Sequence, residues 1–232
     1  MPDGSAISRG FFVTFEGVEG SGKTTQIKHL ERFLLQKGWR CTVTREPGGS
    51  PLGDRIRRIL LSSDTRELTA LGELFLYEAA RAEHVAQVIR PALRGGGVVL
   101  CDRFCDATVA YQGYARRLDL ATVKHLNRLA SEGTSPDLTL LLDCPVEVGL
   151  GRASRRIKAK SPSAREDRFE RESLHFHQRV REGYLRIARE DPDRIRVIDA
   201  SQGELEVHRL ICGIVEPRLR GAVNRLIQPM GI

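Results

Sequence analysis

Several signatures are missing from this chain, and each absence removes a class of protein. No apolar run approaches the roughly 20 residues that a membrane-spanning helix needs, so no membrane role is expected. Residues 1–10 lack the basic start and long apolar core of a secretory signal and read as a short disordered lead-in. The five cysteines, Cys41, Cys101, Cys105, Cys144 and Cys212, are odd in number. Cys101 and Cys105 have no second pair to complete a zinc ligand set. Cys41, Cys101 and Cys144 lie in or beside apolar runs, so free thiols in a reducing, cytoplasmic setting are expected. There is no internal repeat and no linker rich enough to divide the chain. One domain over 11–220 is expected, with 221–232 as a peripheral tail.

Charge is the next filter. The formal net charge of +7 raises nucleic-acid binding as a possibility. Basic residues are nevertheless interleaved with acids along the chain and are densest between Arg152 and Arg168. That distribution suits a local phosphate site better than a nucleic-acid face. Apolar and charged fractions of 41% and 29% are those of an ordinary globular domain.

What is present is centred on Gly17-Val18-Glu19-Gly20-Ser21-Gly22-Lys23-Thr24. An apolar run, Phe11 to Phe15, precedes it and a helical pattern follows, with Ile27, Leu30 and Leu34 recurring until Gly38. This is the strand–loop–helix context of a phosphate-binding loop. Its glycines let backbone N–H groups turn inward at a helix N-terminus. Lys23 then reaches the outer phosphates of a nucleoside triphosphate, and the Thr24 hydroxyl ligates magnesium. The competing reading is a glycine-rich turn with a chance Lys-Thr.

Further strands are expected near residues 41, 98, 138 and 195, separated by helical patterns. The long one, Glu67 to Leu93, is either two helices or one bent helix. Phe104 to Gly113 is a loop or helix start. Later helices are expected at 118–131, 146–156 and 169–189, the last with Leu174, Val180, Tyr184, Leu185 and Ile187 facing inward. Leu205 to Val215 marks a closing helix. The alternation predicts an α/β fold, a five-stranded parallel sheet with helices on both faces. Right-handed crossovers bring every strand's carboxyl end to one edge. Glu16 to Thr24, Arg45 to Gly49, Asp102-Arg103 and Asp143 should therefore converge.

The convergence has chemical content. Asp102, closing an apolar strand downstream of the loop, suits a magnesium site, the alternatives being a helix cap or a surface ion pair. Arg45 and Arg103 are placed to clamp an anionic acceptor bidentately. The basic stretch at about 152–168 reads as a small lid that excludes water from the transfer.

These residues also carry a resemblance. Phe12 to Gly17, Thr44-Arg45-Glu46-Pro47-Gly48-Gly49, Asp102-Arg103-Phe104 and Ala110-Tyr111-Gln112-Gly113 resemble thymidylate kinases. So do Pro136 to Thr139, Asp143 to Leu150, Asp167 to Glu170 and Ile198-Asp199-Ala200, in order over roughly residues 11 to 215. The resemblance implies a P-loop kinase fold, with transfer of the γ-phosphate of ATP to dTMP and Mg²⁺ held at Thr24 and Asp102. ATP is expected along Gly17, Val18, Glu19, Gly20, Ser21, Gly22, Lys23 and Thr24. For dTMP it implies Arg45 and Pro47 in the acceptor turn and Glu19 facing the sugar 3′-hydroxyl. Tyr77 stacks on thymine, Arg81 bonds a base carbonyl, Arg103 holds the phosphate, and Tyr111 and Gln112 line the pocket. Relatives without an arginine in the loop supply it from the lid; Arg155 and Arg156 are preferred here over Arg152, joining Lys23 and Arg103 as the catalytic set. A homodimer built on the helices after Arg45 is also implied. A deoxynucleoside kinase remains the nearest alternative, and a nucleotide-dependent switch or nucleic-acid binder the alternative of a different class.

Overall fold

The computed structural model describes residues 10–62, 68–158, 168–170 and 172–227. The five expected strands are β1 (Phe11–Glu16), β2 (Cys41–Arg45), β3 (Val98–Asp102), β4 (Leu138–Asp143) and β5 (Ile195–Asp199). They form one parallel sheet in the order β2-β3-β1-β4-β5. β1 is central, which explains its unbroken apolar run: both faces must be covered. Val13 and Phe15 enter the larger core, while Phe12 turns to the other side with Val99, Cys101 and Phe104. The edge strands β2 and β5 alternate in burial.

The helices are α1 (Lys23–Gln36), α2 (Pro51–Leu61), α3 (Ala70–His84) and α4 (Arg90–Arg94), then α5 (Cys105–Thr108), α6 (Leu120–Ala130), α7 (Val146–Lys158), α8 (Leu174–Glu190) and α9 (Glu204–Ile227). A π-helical turn, Val85–Ile89, joins α3 to α4, so the long segment is one helical run with a widened turn. A second, Val109–Ala115, continues α5, so the stretch carrying Tyr111 and Gln112 is helical rather than a loop.

Three boundaries differ from expectation. Ser173 caps α8 by accepting a hydrogen bond from the Phe176 N–H, so the helix starts at Leu174. Leu174 consequently lies exposed in the first turn, and Phe176 and His177 face inward. α9 runs on to Ile227 with Pro217 inside it, well past the expected stop near Val215. Gly10 is buried, its N–H donating to the Leu93 carbonyl at 2.8 Å, so order begins one residue before the expected lead-in ends. Residues 1–9, the lid centre at 159–167 and the last residues, 228–232, lie outside the described residues. Among the described residues no helix is long and apolar enough to cross a membrane.

Candidate active site

The strand register levels the site. Arg45 pairs across to Asp102, and Asp102 to Phe15, so the loops after β1, β2 and β3 leave the sheet side by side. They open into a cavity of about 1100 Å³, lined from Glu19 through Lys28 on one side and by Arg45, Tyr77, Arg103 and Tyr111 on the other. Asp143 reaches the same sheet edge, but Arg181 holds its carboxylate through two hydrogen bonds of 2.7 and 2.8 Å. It does not line the cavity.

The phosphate loop has the backbone that its sequence requires. Gly20 has φ 70°, and a Cβ there would stand 2.0 Å from the Gly149 carbonyl oxygen, so only glycine fits. Side chains cap α2, α3, α6 and α8, through Ser50, Thr69, Asp119 and Ser173. α1 has Gly22 at its N-cap, with no side-chain cap and no acid in its first turn. Its free N–H groups and positive dipole end are left for an anion. Lys23 Nζ lies over this loop, 3.0 and 2.9 Å from the Gly17 and Val18 carbonyl oxygens. Burial, then the charge of Arg103, pushes its ammonium down to about 8.

Thr24 donates its hydroxyl proton to Asp102 Oδ2 at 2.9 Å. Two hard oxygen donors therefore meet where the outer phosphates would lie. Among the described residues there is no cluster of three or more potential metal ligands. Magnesium needs none, since it is usually held by one or two protein oxygens with phosphates and water. The pair fits that ion.

The acceptor side is built from ion pairs. Arg103 has φ 71°, a backbone conformation that is costly for a residue with a side chain. Its Nη1 donates to the Gly17 carbonyl at 3.0 Å and to the Tyr184 hydroxyl oxygen at 3.1 Å. Its Nη2 donates to Glu19 Oε1 at 3.1 Å, and Tyr111 donates to the same oxygen at 2.5 Å. Arg103 also lies over the Tyr111 ring, 5.0 Å from its centroid. Both lone pairs of Glu19 Oε1 are thus occupied, and a sugar hydroxyl arriving there exchanges with one of these donors. Burial opposes ionisation of Glu19. His177, Arg103 and Lys23 outweigh it and hold the carboxyl well below the usual range. Glu16 behind it goes the other way. Burial and the nearby Asp106 push it up to about 8, while Tyr184 and the Phe104 N–H donate to it.

Arg81 lines the cavity, yet only 1% of its side chain is exposed. Its guanidinium donates four hydrogen bonds, to Glu46, Glu78, Asn127 and Thr108, at 2.6–2.9 Å, and its Nη2 also lies 2.8 Å from Glu46. A base carbonyl at Arg81 would meet a guanidinium already held on several sides. Glu46, from the acceptor turn, is shared with the buried His84. Gln112, also buried, donates to Glu73, which two further arginines, Arg116 and Arg168, pair with. Tyr77 lies 6.5 Å from Phe169, which meets Tyr111 edge-on at 5.5 Å. Pro47 is buried and accepts from Arg57, whereas Arg45 is exposed and reaches Asp54 at 3.4 Å.

Among the lid arginines, Arg152 lines the cavity and donates to the Ala200 carbonyl at 3.1 Å. Arg155 is exposed and off the cavity wall. The Arg156 side chain lies outside the described residues.

Sequence reading missed Glu73, Glu46 as an anchor, Tyr184 as a partner of Arg103, and His177. Tyr184 and His177 stand seven residues apart, two turns along one face of α8, and that spacing was the available signal.

The family model for thymidylate kinase matches residues 15–211. The thymidylate kinase of Geotalea uraniireducens is 56% identical over 210 residues, covering 90% of this chain and 98% of that protein. That of Syntrophotalea carbinolica is 57% identical over 201 residues, covering 86% and 93%. The crystal structure of thymidylate kinase from Ehrlichia chaffeensis superposes with a TM-score of 0.70 at 32% identity, covering 89% of this chain and 99% of that one. The chain belongs to the thymidylate kinase family.

Proposed function

We infer that this protein transfers the γ-phosphate of ATP to dTMP, giving dTDP and ADP. The observation that carries the reading is one cavity with two anion-holding ends. The uncapped start of α1 with Lys23 lies at one end, and Arg103 on its Glu19 support lies at the other.

The chemistry follows from charge. Phosphoryl transfer passes through a loose transition state, so catalysis is mostly positioning and neutralisation. The acceptor's phosphate oxygen is already ionised near neutral pH, so no strong general base is required. Residues 17–24 hold the triphosphate, with Lys23 on its outer phosphates. Thr24 and Asp102 would hold Mg²⁺, which would supply positive charge against the negative charge developing in the transfer. Arg103 and Arg45 hold the dTMP phosphate in line, and Pro47 shapes the turn that presents Arg45. Tyr77 stacks on thymine, and Tyr111 and Gln112 close the pocket beside it. Arg81 serves the base edge while bracing that wall from within. Glu19 takes the sugar 3′-hydroxyl in exchange for one of its present donors.

For the lid, Arg152 is the arginine placed on the cavity wall, and Arg155 and Arg156 lie within one further turn of α7. Catalytic charge is assigned to this trio. Exposed apolar side chains on neighbouring helices, Leu52 and Ile59 on α2 with Leu71 and Phe75 on α3, support a homodimer through that face. Sedimentation of the purified protein tests it. The free thiols of all five cysteines support a reducing, cytoplasmic setting.

The deciding experiment is a steady-state assay of ADP release with dTMP or thymidine as acceptor. Turnover with dTMP alone is expected. Phosphorylation of thymidine but not of dTMP would replace this reading with a deoxynucleoside kinase.

A further inference from the structure

His177 is fully buried on the inner face of α8. Its Nε2 lies 3.0 Å from the Phe169 carbonyl oxygen, which has no proton to give, so Nε2 carries one. The other nitrogen, Nδ1, faces Glu19 Oε2 at 3.2 Å. Tyr111 and Arg103 already engage Glu19 Oε1, whereas Glu19 Oε2 and His177 Nδ1, buried and facing each other, have no hydrogen-bond partner among the described residues. If Nδ1 were bare, two lone pairs would oppose each other where water cannot separate them, and each group would remain desolvated and unpaid. A proton on Nδ1 turns the same contact into a charge-assisted hydrogen bond. The charged and titratable groups acting on Glu19 are His177, Arg103 and Lys23, and Tyr111 donates to its other oxygen.

We propose that His177 is a positioning residue for the acceptor clamp: its buried ring fixes the phosphate-loop carboxylate Glu19, and Glu19 in turn aims Arg103 and Tyr111 at the acceptor. The same ring pins the Phe169 backbone, whose side chain packs on Tyr111. A single buried histidine thereby ties the segment after the lid to the loop that holds the donor. This rests on the reading of the cavity as a dTMP site, and it adds a residue that touches neither substrate.

Three replacements separate positioning from packing. His177→Phe keeps volume only, His177→Asn keeps an N–H donor near the Nδ1 position, and His177→Gln keeps one near the Nε2 position. Expected for His177→Phe is a rise of about tenfold in the dTMP KM with the ATP KM within about twofold, the size of a lost charge-assisted hydrogen bond felt through Arg103. His177→Asn should recover most of that loss and His177→Gln little of it. An Asn variant as impaired as the Phe variant, or an unchanged dTMP KM in all three, would overturn the proposal. Should the Phe variant fail to fold, the Asn and Gln variants decide it. Should the unmodified protein leave dTMP untouched, the functional reading fails on its own, and the Tm of the Asn variant against that of the Gln variant still tests the Glu19–His177 pair.

Discussion

The two ends of the cavity hold anions by different physics. At the donor end the binding groups are backbone N–H groups of one short loop, freed because α1 has no side-chain cap, with one lysine added. At the acceptor end the groups are side chains from β1, β3 and three helices, each braced by a partner before any ligand arrives. Arg103 rests on Glu19 and Tyr184, and Arg81 on Glu46 and Glu78. A backbone cradle needs no such support, since the peptide dipoles are fixed by the turn. A long guanidinium does, because unbraced it loses rotamer freedom at each binding event. The donor end is therefore local and the acceptor end is distributed. Substitutions should damage them differently.

The largest effect should fall on the acceptor wall. Arg81→Met leaves Glu46 and Glu78 buried without their cation, a loss on the order of 3–5 kcal/mol. At about 2–4 °C per kcal/mol for a chain of this size, the Tm should drop by roughly 10 °C in a calorimetric scan. An unchanged Tm with a raised dTMP KM would make Arg81 a ligand contact rather than a brace. At the donor end, Lys23→Ala should cost on the order of 10²–10³ in kcat, as for the loss of one preorganised positive donor, with little change in Tm. If Lys23→Ala instead melted the protein, the contrast between the two ends would be lost.

Smaller effects sharpen the division. Arg45 is exposed and lightly braced, so Arg45→Ala should raise the dTMP KM by about tenfold and leave ATP binding intact. Equal losses for both nucleotides would remove it from the acceptor side. Removing Arg152 should lower kcat/KM for ATP more than removing Arg155, because only the former stands on the cavity wall. The reverse order would place the catalytic charge further along α7.

The smallest effect is a proton. Lys23 is depressed from 10.5 to about 8, so above pH 8 it is increasingly neutral in the free protein. A triphosphate favours the charged form, so nucleotide binding near pH 9 should take up a fraction of a proton, read by calorimetry in buffers of different ionisation enthalpy. The stability sign is opposite in sense to a salt bridge. Between about 8 and 10.5 the unfolded chain holds the extra proton, so this lysine's contribution to stability rises with pH across that window. Absence of uptake would mean that the ammonium is fully charged before ATP arrives.

The sheet was legible because its strands are buried on both faces and appear as apolar runs between helical patterns, with β1 the plainest. α9 was cut short because Pro217 and a weakening apolar stripe resemble a stop, yet the helix continues. The stretch containing Tyr111 left loop and helix start both open because its π-helical turn breaks the usual 3.6-residue spacing. In the site, Glu19, Lys23, Thr24 and Asp102 were legible because each stands within or just after a strand end. Glu73 and His177 were not, for they serve other side chains: Glu73 holds Gln112, and the spacing of His177 and Tyr184 marks a helix face without naming Glu19 as what it meets.

The sequence by itself determined the phosphate loop, the parallel sheet and the shared edge, since these follow from glycine conformation, apolar runs and the handedness of crossovers. Only the tertiary structure decided which charges are spent. It turned Asp143 aside to Arg181, tied Arg81 into four hydrogen bonds, and placed His177 against Glu19. Pairing between residues tens to more than a hundred positions apart depends on helix phase and burial. Neither is set until the elements pack.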